Sequence, residues 1–150
     1  MQLLGQVGGV IDGSHVVYTS RKHGRGYINW VRVLNDNRAA LATAIAMRDL
    51  VDGLEFDTVV GPTHTGDKVA SNLSLVAAIV GREMWAVYAQ EAEGEATILF
   101  QGEERQVKAR SFPRGQTDFV AGCRVLVVDD VLTTGGTILE TIVAVEQIGC

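Results

Sequence analysis

The sequence predicts an α/β fold, a parallel sheet with flanking helices. Strand-length apolar runs at Phe56–Gly61, Met84–Ala89 and 124–128 alternate with helical patterns of 3.6-residue period, as βαβ units do. Four consecutive apolar residues, Val125 to Val128, make a strand with no polar face, which suits a sheet covered on both sides. The third observation is size and composition. With 150 residues, 47% hydrophobic and 21% charged, the chain is expected to form one globular domain with a real core.

The elements follow in order. Residues 1–18 are short, apolar and glycine-punctuated, with Val16-Val17-Tyr18 as a small strand. Thr19 to Gly26 read as a basic loop and Tyr27 to Val31 as an extended segment. Asp36 caps a helix whose apolar positions include Leu41, Ala44, Ile45, Leu50 and Val51, and Gly53 ends it. After the strand at Phe56–Gly61 comes a loop, Pro62 to Gly66. A helix follows with Val69, Leu73, Val76 and Val80 on one face, closed by Gly81. Met84–Ala89 is the next strand. Residues 91–122 are polar, and inside them Ala96–Phe100 and Arg105–Ala109 pair as a hairpin around Gln101-Gly102-Glu103-Glu104. Strand 124–128 and helix 137–148 come last. A further strand normally follows such a helix, and the sequence stops at Gly149-Cys150, so the last core strand is expected to be missing.

Composition excludes several functions. A net charge of −5 argues against a nucleic-acid surface. The two cysteines, Cys123 and Cys150, have no metal-ligand or redox-motif spacing, and Cys123 is expected to be a buried, reduced thiol. The start has no basic n-region, and no apolar run is long enough for a bilayer. The expected compartment is the cytoplasm, with no membrane partner.

Residues 125–137, Val-Leu-Val-Val-Asp-Asp-Val-Leu-Thr-Thr-Gly-Gly-Thr, carry the most chemistry. A strand, a tight polar turn and a helix start form a phosphate cradle, because the first helical N–H groups are unpaired and sit at the positive end of the dipole. Gly135 and Gly136 admit an anion close to the backbone. Thr133, Thr134 and Thr137 add hydroxyl donors. Asp129 and Asp130 suit sugar hydroxyls, a magnesium ion or developing positive charge. A Walker loop is excluded, since no lysine lies between Lys108 and the C-terminus, and the three spaced glycines of a dinucleotide fingerprint are absent.

These thirteen residues resemble the motif with which type I phosphoribosyltransferases bind phosphoribosyl pyrophosphate (PRPP). Val59-Val60-Gly61-Pro62-Thr63-His64-Thr65-Gly66 is a second strand–loop–helix start and is similar to the family's pyrophosphate loop. Asp67 stands where that pattern has a second glycine. Either Lys68 offsets its charge, or Asp67 is a first-turn acid suited to the dipole. His64 either bonds pyrophosphate oxygens or faces solvent. Tyr18 to Asn29 resemble the N-terminal segment of orotate phosphoribosyltransferases through Ser20, His23, Gly24, Tyr27 and Asn29. Arg21 replaces a glycine, and Thr19 stands where many members have lysine. The likeness runs from about Val10 to the end of the sequence.

The resemblance implies a fold and a set of roles. The fold is the type I phosphoribosyltransferase sheet with an N-terminal hood (residues 1–35), a core (residues 36–150) and a mobile loop or hairpin. Val131, Leu132, Thr133, Thr134, Gly135, Gly136 and Thr137 hold the 5-phosphate side of PRPP; Gly61, Pro62, Thr63, His64, Thr65 and Gly66 hold pyrophosphate. Thr133, Tyr27, Arg21 and Lys22 are base-side candidates. Asp129 and Asp130 hold the ribose and, through PRPP, magnesium. The family's mobile loop carries lysines and a histidine; the corresponding Gln90 to Glu95 has neither, so Arg105, Lys108 and Arg110 are the candidate closing cations. Arg110-Ser111-Phe112 resembles an arginine segment of shorter, archaeal-like orotate relatives. The implied reaction transfers ribose 5-phosphate from PRPP to a nitrogen base, orotate first, in a homodimer. A purine or other base, or PRPP sensing without catalysis, remains the alternative.

Overall fold

The computed structural model describes residues 2–18 and 21–150, so Thr19 and Ser20 of the hood segment lie outside the described residues. The chain divides into two compact units, the first ending at Thr43 and the second running from Ala44 to Cys150.

The first unit begins with a short helix, α1 (Gln2–Gln6), where the sequence suggested no helix. The small strand expected at Val16–Tyr18 is instead an eight-residue strand, β1 (Val10–Val17), paired antiparallel with β2 (His23–Ile28). Half of the supposed basic loop is therefore strand. Its alternating Gly24 and Gly26 hid it from a propensity reading. At Gly24 a Cβ would collide with the Tyr18 ring, whose hydroxyl donates to the Gly26 carbonyl at 2.7 Å. The segment expected to be extended through Val31 turns helical at Trp30: α2 (Trp30–Asn35) is capped by the Asn29 side chain, which accepts from the Arg32 amide. Asp36 caps α3 (Asn37–Leu50) as expected, its Oδ1 accepting from the Arg38 and Ala39 amides at 3.0 Å each. The buried residues of α3 are Ala39, Ala40 and Ala44, while Leu41, Ile45 and Leu50 of the expected apolar face are exposed.

The second unit holds a four-stranded sheet in the order β5-β4-β3-β6. Its centre is β3 (Thr58–Pro62), buried at all five positions and parallel to both neighbours. The loop after β3 leads into α4 (Gly66–Ile79), which buries Val69, Leu73 and Val76; Val80, expected beside them, is exposed at the C-cap. Gly81, in the left-handed region, closes the helix through the Gly81 and Arg82 amides. β4 (Trp85–Phe100) and β5 (Glu103–Ser111) form the expected hairpin, but it is longer than the sequence suggested. Gln90 to Glu95, matched to the mobile loop, are part of β4, with a register shift between Glu91 and Glu95. The turn is two residues, Gln101 and Gly102, both with positive φ, the geometry that continues strand twist into a tight hairpin. Since β5 runs antiparallel, the sheet is mixed. β6 (Val125–Val127) leads to α5 (Gly136–Glu146). Val60, Val87, Ala89, Phe112, Val120, Ala144 and Val145 make one apolar core around these elements. Cys123, expected to be buried, is only half-buried.

Candidate active site

Two loops leave the C-terminal ends of parallel strands β3 and β6, and each runs into a helix. Neither helix has a side-chain cap. The N-cap of α4 is Thr65, and that of α5 is Gly135 in the left-handed conformation. No N-cap side chain therefore reaches the first-turn N–H groups of either helix, and in α4 the Lys68 amide is taken by the Asp67 carboxylate.

The loops meet. Gly61 and Gly66 approach so closely that a Cβ on Gly61 would lie 2.0 Å from the Gly66 carbonyl oxygen. A Cβ on Gly66 would lie 2.6 Å from Pro62 and 3.1 Å from Oδ1 of Asp129. Glycine at 61 and 66 is a steric requirement of this packing. Thr63 donates its amide to the Ala89 carbonyl of β4 at 2.9 Å, which pins the middle of the first loop to the sheet. The peptide bond between Thr63 and His64 is cis. His64 is exposed, and Asp67 turns its carboxylate onto the Lys68 amide at 2.7 Å, the first-turn arrangement suited to the dipole.

Asp129, Val131 to Ile138 and Glu140 line a cavity of about 220 Å³. It contains every residue of the motif turn from Val131 to Thr137, so the structure brings these residues together as the spacing implied. Asp129 is half-buried at its base. Burial pushes its carboxyl up to about 6, and the hydrogen bond with the Asp130 carboxyl adds to that rise; the Asp130 amide, donating to Oδ1 at 2.9 Å, and Arg110 pull the other way. Both carboxylates are hard oxygen donors of the kind magnesium takes. Among the described residues no three acidic, histidine or cysteine side chains cluster. The donor set therefore fits a magnesium ion that keeps its waters and is held by one or two carboxylates together with ligand phosphates.

The closing cations separate on β5. Arg105 lies over the Phe100 ring at 5.0 Å and Lys108 reaches Glu91 at 3.4 Å; both are exposed. Arg110 is no loop cation. It is buried and paired with Glu140, because it lies on the inner half of the hairpin against α5. Arg21, Lys22 and Tyr27 belong to the first unit: Arg21 has φ 60° and, with Lys22, bonds the backbone of Tyr18, and Tyr27 of β2 pairs with Ile11 of β1. Sequence reading missed Glu140, whose signal was its position one turn after Gly136, on the face that looks toward the loop.

A family model for the phosphoribosyl transferase domain matches residues 30–150. The chain belongs to that family. This phosphoribosyl transferase domain is 32% identical to an orotate phosphoribosyltransferase of Streptomyces coelicolor, over 82% of this chain and 60% of the relative. It thus spans about 60% of that relative's length. A solved phosphoribosyltransferase of Corynebacterium diphtheriae superposes with a TM-score of 0.66 at 26% identity, covering 99% of this chain and 73% of the other. An orotate phosphoribosyltransferase of Mycobacterium tuberculosis, solved in complex with PRPP, superposes at 0.61 and 22% identity, over 99% and 72% of the two chains, a likeness of fold. No helix among the described residues is long and apolar enough to cross a membrane.

Proposed function

We propose that this phosphoribosyl transferase domain binds PRPP and transfers its ribose 5-phosphate to orotate, releasing pyrophosphate. The observation that carries the reading is the contact of the two anion loops, with Gly66 against Asp129 and two uncapped helix N-termini opening beside them. One loop suits the 5-phosphate and the other the pyrophosphate. The named relatives supply the base: the curated Streptomyces relative is an orotate enzyme.

The chemistry follows from positioning and charge. The base nitrogen forms a bond to the anomeric carbon as the bond from that carbon to pyrophosphate breaks. Thr133, Thr134, Thr137 and the N–H groups at Gly135 to Thr137 hold the 5-phosphate, with Val131 and Leu132 shaping the turn. Within the loop Gly61–Gly66 the amides of His64, Thr65 and Gly66 hold the pyrophosphate, since Pro62 has none and that of Thr63 is engaged by Ala89. Asp129 and Asp130 orient the ribose hydroxyls, and their negative charge favours the cationic ribose of the transition state. Thr133 is the base-side residue of the proposal. Magnesium on Asp129, Asp130 and the ligand phosphates would neutralise the leaving pyrophosphate. A homodimer in the cytoplasm belongs to the same proposal.

A second reading, PRPP binding without transfer, is favoured by one feature: residues 90–95 carry no lysine or histidine and lie within β4. The experiment is a turnover assay with PRPP, magnesium and a panel of bases. Orotate consumption should match pyrophosphate release, and Asp129→Asn with Asp130→Asn should lower the rate by about 10²-fold or more. PRPP binding with no base consumed would establish the second reading; absence of PRPP binding by the folded protein would overturn both.

A further inference from the structure

β5 delivers one cation to the interior. The Arg110 side chain is 4% exposed and that of its partner Glu140 14%. Nε and Nη2 both donate to the same oxygen, Oε2 of Glu140, at 2.9 and 2.8 Å. Nη1 donates to the Ala89 carbonyl at 3.4 Å. That carbonyl is also the one that accepts the Thr63 amide and so anchors the Gly61–Gly66 loop. Glu140 lies on α5 and lines the cavity formed by the motif turn. One guanidinium therefore touches the anchor of the first anion loop and the wall of the second.

A carboxylate in the wall of a cavity built for phosphate is repulsive unless something cancels it. Arg110 supplies the cancelling charge from behind, where it is itself out of solvent. Its planar fork spends three donors on Glu140 and Ala89, which fixes the start of α5 against β4. We propose that Arg110 and Glu140 are a positioning pair for anion binding: Arg110 neutralises Glu140 in the cavity wall and holds the two loops in register without touching the ligand. The inference rests on reading that cavity as a phosphate site.

Four variants test it: Arg110→Met, Arg110→Lys, Glu140→Gln and the double variant Arg110→Met with Glu140→Gln. Each is titrated calorimetrically with inorganic phosphate and with PRPP plus magnesium, and its melting temperature is measured alongside. Arg110→Met exposes the ligand to an uncancelled carboxylate and should weaken both ligands by about tenfold or more. Glu140→Gln leaves the cation in place and should bind phosphate more tightly than wild type. The double variant should recover most of the affinity lost in Arg110→Met, although it lacks the same contacts. Arg110→Lys keeps the charge but not the fork and should fall between. A purely structural pair would lower the melting temperature in all four with no such recovery. A folded Arg110→Met protein with wild-type affinity, or a double variant no better than it, overturns the inference. If Arg110→Met does not fold, weaker binding in Glu140→Gln does so. Binding of neither ligand by wild type would instead sink the phosphate reading of the cavity, and the inference with it.

Discussion

Asp129 is a carboxyl group whose titration is raised by burial. It sits half-buried at the end of β6, and burial lifts its carboxyl to about 6. Because the folded value lies above the unfolded one, the native state holds a proton that the unfolded state has lost between about pH 4 and 6. Stability from this group is full below the unfolded value and declines as pH rises through the folded one. Asp57 acts in the opposite sense: hydrogen bonds from Arg124 hold its carboxyl well below the usual range, so its contribution is lost only in stronger acid. The difference between wild type and Asp129→Asn isolates the first effect. Melting temperatures taken from pH 4 to 7 should show wild type losing ground to Asp129→Asn across that window, and parallel curves would refute the assigned environment. The same reasoning applies to ligand. A bound cation needs the ionised carboxylate, so PRPP with magnesium should bind more weakly below about pH 6 than above it.

At the scale of elements, the two loops depend on glycine for different reasons. Gly61 has no room: a Cβ there meets the Gly66 backbone, which cannot move without opening the loop. Gly136 has room, with Thr134 Oγ1 the nearest atom at 3.7 Å, and it opens α5 without a positive φ. Gly61→Ala should destabilise by about 2 kcal/mol or more, as overpacking against backbone does. Gly136→Ala should leave the unliganded melting temperature nearly unchanged and weaken phosphate binding, because its methyl group occupies the path of the anion. Thermal unfolding and calorimetry on both variants check the contrast; equal destabilisation would show that position 136 is a packing glycine instead. Both loops were legible in the sequence, since each pairs an apolar strand with small residues and a helix start. The β1–β2 ribbon was half hidden, because two glycines, Gly24 and Gly26, occupy strand positions, and at Gly24 the Tyr18 ring leaves no room for a side chain. β4 was cut short for a related reason. Glu91, Glu93 and Glu95 read as loop, yet their backbone is carried across a bulge by pairing with β5, whose Lys108 meets Glu91.

For the whole molecule, the site is a property of the sheet order. Placing β3 at the centre sets β4 on one side and β6 on the other, which brings the loops after β3 and β6 side by side. The sequence indicated parallel strands but not which were neighbours, because the pairing of Thr58 with Val125 spans 67 residues and has no local signature. The partner of Arg110 was illegible for the same reason: Glu140 is 30 residues away and becomes its neighbour only when α5 packs on the hairpin. One consequence is measurable on the intact chain. A ligand that binds only the native state at a hundred times its Kd adds about 2.7 kcal/mol, which for a chain of this size raises the melting temperature by about 5–10 °C. If PRPP bridges the loops, hydrogen exchange with PRPP and magnesium should slow in residues 61–66 and 129–137 together, with the same concentration dependence. The outer hairpin around Gln101 should exchange as before, since it lies far along β4 and β5 from the strand ends that carry the loops. Protection of one loop without the other would mean that the ligand occupies a single phosphate cradle, and that the contact between Gly66 and Asp129 does not build a common site.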